Sequence, residues 1–186
     1  MQPNYRPGMN PATFVAGQTG PWRIDAVKAI RGEGLSAAPR LEVREGIASP
    51  AEGAWSLRAV SGHVRYVERA EKADLDPVSP TLGRPEATRA ALIPIRKSDG
   101  WWALPQDERR AIFETRSRHI EGSLAYLPRI ARRLYHAREL GEPFDFLTWF
   151  EFAPEHAAAF DELLVFLRSR DEWRFVEREV ELRLSR

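Results

Sequence analysis

The alternation of apolar and polar positions divides the chain into a weakly patterned first part and a strongly patterned remainder. Residues 1 to 55 are broken up by Gly and Pro, and their best strand candidates are FVAG, the run beginning at Trp22, and RLEVRE. WSLRAVSGHVRYV is a firmer strand, because β-branched and aromatic residues recur there between small and charged ones. DPVSPTLGRPE reads as a long loop punctuated by Pro and Gly.

TRAALIPIRK, residues 88 to 97, predicts a mostly buried strand, with Pro94 favouring an edge or a bulge. KSDGWW predicts a turn. PQDERRAIFETRSR predicts a helix that starts near Pro105, with Asp107 and Glu108 at the positive end of its dipole and Gly122 interrupting or ending it. A second helix is expected from about Ser123 to Leu140. Leu124, Leu127, Ala131 and Leu134 recur there at three- and four-residue spacing, and Arg138 follows where the apolar face ends. Pro128 implies a kink or a later start.

FDFLTWFEFA predicts a strand with Phe144, Phe146, Phe150 and Phe152 on one face. Pro154 and Glu155 open a helix whose buried stripe is Phe160, Leu163, Leu164 and Leu167. The chain closes with a strand in EWRFVEREVELRL, where Val176, Val180, Leu182 and Leu184 share one face and carboxylates crowd the other. This order permits helices on one side of an antiparallel or mixed sheet. The opposite sheet face then needs a cover: the earlier strands, a second subunit or a large flat ligand. A ferredoxin-like α+β unit is the best local fit, and the side-chain pattern shows no convincing internal repeat.

Composition narrows the picture only slightly. The 186 residues suffice for one sizeable core or two small layers sharing one. A formal charge of +1 offers no general electrostatic case for nucleic acid. There is no cysteine, hence neither disulfide framework nor thiolate chemistry. No apolar run approaches the roughly 20 residues of a membrane span, and MQPNYRPGMNPATF lacks the pattern of a secretory signal. The expectation is a cytoplasmic protein with no membrane segment.

The chain contains no Gly-rich phosphate loop, no HExxH and no GxSxG elbow. Asp74 and Asp76 fall in a turn-rich stretch and read as capping or solvated groups. Of four histidines, His156 reads as solvent-facing and His63 as a strand residue that could approach a pocket. His119 lies at the helix break before EGSL. A neutral imidazole there is either solvated or an axial metal or haem ligand with its other nitrogen held by an acceptor. On the expected helix, Arg129, Arg132, Arg133 and His136 share a broad polar face, which either solubilises it or lends one guanidinium to an anion. Trp101 and Trp102, after a loop containing Lys97, suit a core, an interface or the wall of a flat cofactor. Tyr66 could donate a hydrogen bond to a carboxylate ligand.

RYVERAEK, GRPEATRAALIPIRKSDGWW, SRHIEGSLAYLPRIARRLYH and GEPFDFLTWFEFAPEH together resemble the chlorite dismutase family, specifically its short, dimeric class. The resemblance covers residues 55 to 186. It implies ferredoxin-like units forming a dimeric α/β barrel, with a reduced N-terminal portion over residues 1–84 and a haem-binding portion over 85–186. It also implies haem b as cofactor, chlorite as substrate, and chloride and dioxygen as products. By the same resemblance His119 matches the iron's axial ligand, and Arg132 matches the distal arginine that holds the anion until the oxygen–oxygen bond forms. Trp101, Trp102 and Lys97 match residues around the haem. The carboxylate accepting from the axial histidine is Glu172 or Asp171, with Glu172 the like-for-like match. Competing expectations are a coproheme decarboxylase, which Arg132 argues against, a weak haem peroxidase, and a haem carrier without catalysis.

Overall fold

The computed structural model describes residues 10–47, 53–61, 80–112, 125–126 and 128–186. Eight antiparallel strands close into a barrel in the order β1-β3-β2-β8-β5-β7-β6-β4. They are β1 (Asn10–Gly17), β2 (Trp22–Arg31), β3 (Arg40–Glu45), β4 (Trp55–Ser61), β5 (Arg89–Lys97), β6 (Ile130–His136), β7 (Phe146–Phe152) and β8 (Val176–Ser185). Each half of the chain contributes four neighbouring strands, and in each the spatial order is fourth, first, third, second. This repetition of topology is invisible in the side-chain pattern.

The weak candidates of the first part are real strands: FVAG is the end of β1, Trp22 starts β2, and RLEVRE is β3. Their inward residues Phe14, Trp22, Leu41 and Leu57 meet Leu92, Tyr135, Leu147, Trp149, Leu182 and Leu184 in one core that fills the barrel. Thus the N-terminal strands cover the inner face of the C-terminal sheet, which resolves one of the alternatives above.

The outer face of β5, β7 and β8 carries a second core with the helix α3 (Ala157–Arg168). A 3₁₀ turn at Pro154–His156 leads into α3, and Phe160, Leu163, Leu164 and Leu167 are its buried stripe, as the spacing predicts. Phe160 stacks on Phe152 with centroids 4.7 Å apart and also meets Phe150. Phe146, Phe150 and Phe152 share the outer face, but Phe144 precedes β7 and packs in the barrel interior. Val176 likewise belongs to the outer cluster, whereas Val180, Leu182 and Leu184 point inward. The carboxylate face of β8 is covered: buried Glu179 and Glu181 share Arg168 of α3, and Glu179 also accepts from Trp173 Nε1 at 2.8 Å.

Several expectations are corrected. Residues 130–136, expected within a helix, form strand β6, which pairs with β7 at seven consecutive positions from Ile130↔Phe152 to His136↔Phe146. The Leu and Ala spacing satisfied a helical template, but neither face of this strand is uniformly solvated, so period-2 polarity was erased. Pro94 is not on an edge, since β5 lies between β7 and β8. Its missing donor is tolerated because the β8 ladder passes from Leu92↔Leu182 to Ile95↔Glu179, and the register shift falls later, at Arg96/Lys97. KSDGWW is largely helical: α1 (Asp99–Ala103) contains both tryptophans, and Lys97 is the last residue of β5. Helix α2 (Gln106–Arg110) follows Pro105 with Asp107 and Glu108 in its first turn, as expected. Among the described residues no helix is long and apolar enough to cross a membrane.

Candidate active site on the outer face of the sheet

Strand alternation in β6 sends Arg132, Leu134 and His136 to the outer face and Arg133 and Tyr135 to the inner one. Arg132 and Arg133 therefore do not share a face. Arg132 is half-buried opposite Phe150, and His136 is buried with its ring 5.3 Å from Phe146, edge to face. Leu134, expected in a buried stripe, is 44% exposed between them. Burial holds the Tyr135 phenol above its ordinary value, the nearby Arg133 guanidinium opposing the shift and Glu151 adding to it.

At the other end of the same sheet lies a buried cation. Lys97 is 4% exposed, with Nζ 4.6 Å from the Trp101 ring centre and 5.5 Å from that of Trp173. Its Nζ donates to the Glu172 backbone carbonyl at 3.3 Å and stands 4.0 Å from Glu172 Oε2. Loss of solvent is the largest influence on Lys97 and holds its pKa below 10.5, opposed by the charges of Glu172 and Asp145. Glu172 is 2% exposed in a 3₁₀ turn, Asp171–Phe175, whereas neighbouring Asp171 is exposed. Arg31 of β2 fixes that turn by donating to the carbonyls of Trp173 and Val176.

The paired tryptophans have different surroundings. Trp101 is buried beside Lys97 and Phe175, and its Nε1 donor has no hydrogen-bond partner among the described residues. Trp102 lies nearly parallel to Phe146 (20°, 6.0 Å), under the Arg138 guanidinium at 4.0 Å, and donates from Nε1 to Asp145 at 3.2 Å. Asp145 was not singled out in the sequence, where an Asp before a strand signals only a turn. His119, Tyr66, His63, Asp74, Asp76, Gly122, Leu124 and Leu127 lie outside the described residues.

Lys97 adjoins Asp145, and Arg132 faces Phe150, five residues further along β7. That separation is roughly 16 Å at the usual rise of a strand. The intervening wall is apolar and aromatic, which suits a large flat ligand with polar groups at its edge. An indole donor unmet among the described residues, beside a buried cation, fits such a polar edge.

Fold and site thus define a barrel protein whose interior is filled by side chains and whose candidate pocket lies outside the sheet, between an arginine-bearing strand and a buried Lys–Glu pair. The family model for chlorite dismutase matches residues 35–186, and the chain belongs to that family. A crystal structure of dimeric chlorite dismutases from Nitrobacter winogradskyi is 57% identical, with a TM-score of 0.88 over 94% of this chain and 99% of that one. A chlorite dismutase from Ideonella dechloratans is 31% identical over 114 residues, 60% of this chain and 38% of that protein's length. A mutant chlorite dismutase from Candidatus Nitrospira defluvii in complex with cyanide shares the fold, at 22% identity and a TM-score of 0.64.

Proposed function

We propose that this chain is a haem b-dependent chlorite dismutase, acting in the cytoplasm as a homodimer of barrels built from two ferredoxin-like units, the N-terminal one truncated. The observation that carries this reading is the placement of Arg132 and of the Lys97–Glu172 pair on opposite ends of one aromatic outer face. Bound haem supplies the redox chemistry that converts chlorite to chloride and dioxygen. His119 is the residue that would hold its iron.

The protein's part is to hold and to confine. Arg132 carries a permanent charge on a planar donor fork, suited to retaining a small oxyanion against the apolar wall of Phe146 and Phe150. Such a site would keep a small oxyanion from diffusing away from the haem that these residues would border. Glu172 is the proposed acceptor for the second nitrogen of His119, which fixes the ring's tautomer and raises its basicity. Lys97 offsets the charge that this carboxylate would otherwise present in a buried site. Trp101 and Trp102 line the haem edge, with the Trp101 indole available to an acceptor there, and Tyr66 offers a further donor.

Reconstitution with haem b, addition of chlorite and measurement with an oxygen electrode test the proposal. Stoichiometric oxygen is expected. Reversible haem transfer without oxygen evolution would instead establish a carrier, and stepwise carboxyl loss from iron coproporphyrin with peroxide would establish a decarboxylase.

A further inference from the structure

Asp145 is a buried carboxylate that joins three elements around the pocket. Its Oδ2 accepts from the Lys97 backbone N–H at 2.7 Å and from Trp102 Nε1 at 3.2 Å. Its Oδ1 accepts from Arg138 Nη1 at 3.3 Å. The Asp145 backbone adds three bonds: its N–H donates to the Ile95 carbonyl at 2.9 Å, and its own carbonyl accepts from the N–H groups of Ala137 at 2.9 Å and Arg138 at 3.4 Å. The end of β5, the helix bearing the tryptophans and the exit from β6 are thereby fastened to the residue that immediately precedes Phe146.

The chemistry of one oxygen decides what this clamp controls. Oδ2 serves Lys97 and Trp102 together, so the direction in which Lys97 leaves the strand and the plane of the Trp102 ring are set by the same atom. Lys97 then reaches Glu172, while Trp102 lies flat along Phe146. Arg138 is 44% exposed at its side chain and can turn to water, whereas the other two donors are held within the fold. The shared acceptor is therefore the essential feature, and the charge is secondary.

We infer that Asp145 is a positioning residue of the haem pocket, holding the buried Lys97 and the Trp102 wall in register with one another. This rests on the haem-binding reading above. An amide at this position keeps an oxygen for both donors by turning its NH₂ towards the solvent side, where Arg138 gives way. Alanine removes the acceptor altogether. The expected result is that Asp145→Ala releases haem at least about 10-fold faster to a scavenging apoglobin, the scale seen when outer partners of a metal ligand are lost. Asp145→Asn stays within about threefold of wild type.

Trp102→Phe, which removes the indole donor together with part of the ring but leaves the Asp145 acceptor to Lys97, lies between them and keeps the test open if Asp145→Ala does not fold. In haem-free protein, exchange of the Trp102 indole proton is faster in Asp145→Ala and near wild type in Asp145→Asn, a readout that needs no bound haem. Equal haem loss from Asn and Ala variants would overturn the inference in favour of a charge effect. Haem release from Asp145→Ala at the wild-type rate would overturn it outright. Wild-type protein that takes up no haem overturns the functional reading itself and, with it, any role for Asp145 in a haem pocket; the indole result separates that failure from a failure of the clamp.

Discussion

Lys97 Nζ stands 4.0 Å from Glu172 Oε2, a cation and a carboxylate brought together from positions 75 residues apart, both almost wholly out of water. Asp171 beside them is exposed. Glu172→Gln is therefore expected to weaken haem binding by about 10- to 100-fold, the usual cost of losing a ligand's outer partner. The same change should shift the haem absorption bands. Asp171→Asn should alter neither property. Parallel haem titrations of the two variants, read by absorption spectroscopy, check the assignment, and an equal effect of both would refute it.

Arg132→Ala is expected to lower chlorite turnover by roughly 100-fold, the scale of removing one preorganised donor from a developing anion. It should also hasten bleaching during turnover, because hypochlorite escapes. Oxygen-electrode progress curves with a chlorination trap measure both. Full rate with full catalyst lifetime would remove Arg132 from the mechanism.

Arg168 is the shared partner of Glu179 and Glu181, which are buried beneath α3. Replacing it with methionine leaves two carboxylates without that partner and should destabilise the fold by about 3 kcal/mol. Glu181 is buried, which alone would raise its pKa, but bonds from Arg168 and Arg183 prevail and hold it below 4.5. Its stabilising contribution is accordingly complete above that value and is lost as acid takes the pH through the folded pKa. Urea unfolding between pH 3 and 7 should show this acid loss in wild type, and a smaller one in Arg168→Met.

At alkaline pH two groups act in opposite directions. Lys97 has a folded pKa below 10.5, so the unfolded chain binds more protons between the folded value and 10.5, and stability rises with pH across that window. Tyr135 has a folded pKa above 10.0, so its contribution is full below 10.0 and falls as pH climbs through the folded value. Tyr135→Phe should abolish the second effect and leave the first. Denaturant midpoints from pH 8 to 11 separate the two, and an unchanged alkaline slope in Tyr135→Phe would contradict the assignment.

The parts of the fold legible in sequence were those whose two faces differ. The α3 stripe from Phe160 to Leu167 was readable because one side of the helix meets solvent. Strand β6 was not, because buried and exposed residues occur on both of its faces, and its leucine spacing matched a helical period by coincidence. Glu172 could be named only through family resemblance. The physical distinction from Asp171 is burial, which arises from a turn fixed by Arg31 from the distant strand β2. Asp145 carried no signal at all, since its significance lies in three partners from separate elements.

Strand β6 places Arg132 and Tyr135 on opposite sides of the sheet through simple alternation, and its seven-residue pairing with β7 holds that parity. A substitution there disturbs one side chain, but an inserted or deleted residue inverts all those beyond it. Tyrosine would be thrust into the pocket and arginine into the packed interior. Length in this stretch is therefore under stricter constraint than composition, and chains descended from a common ancestor should differ between Ile130 and His136 by replacement, never by a gap.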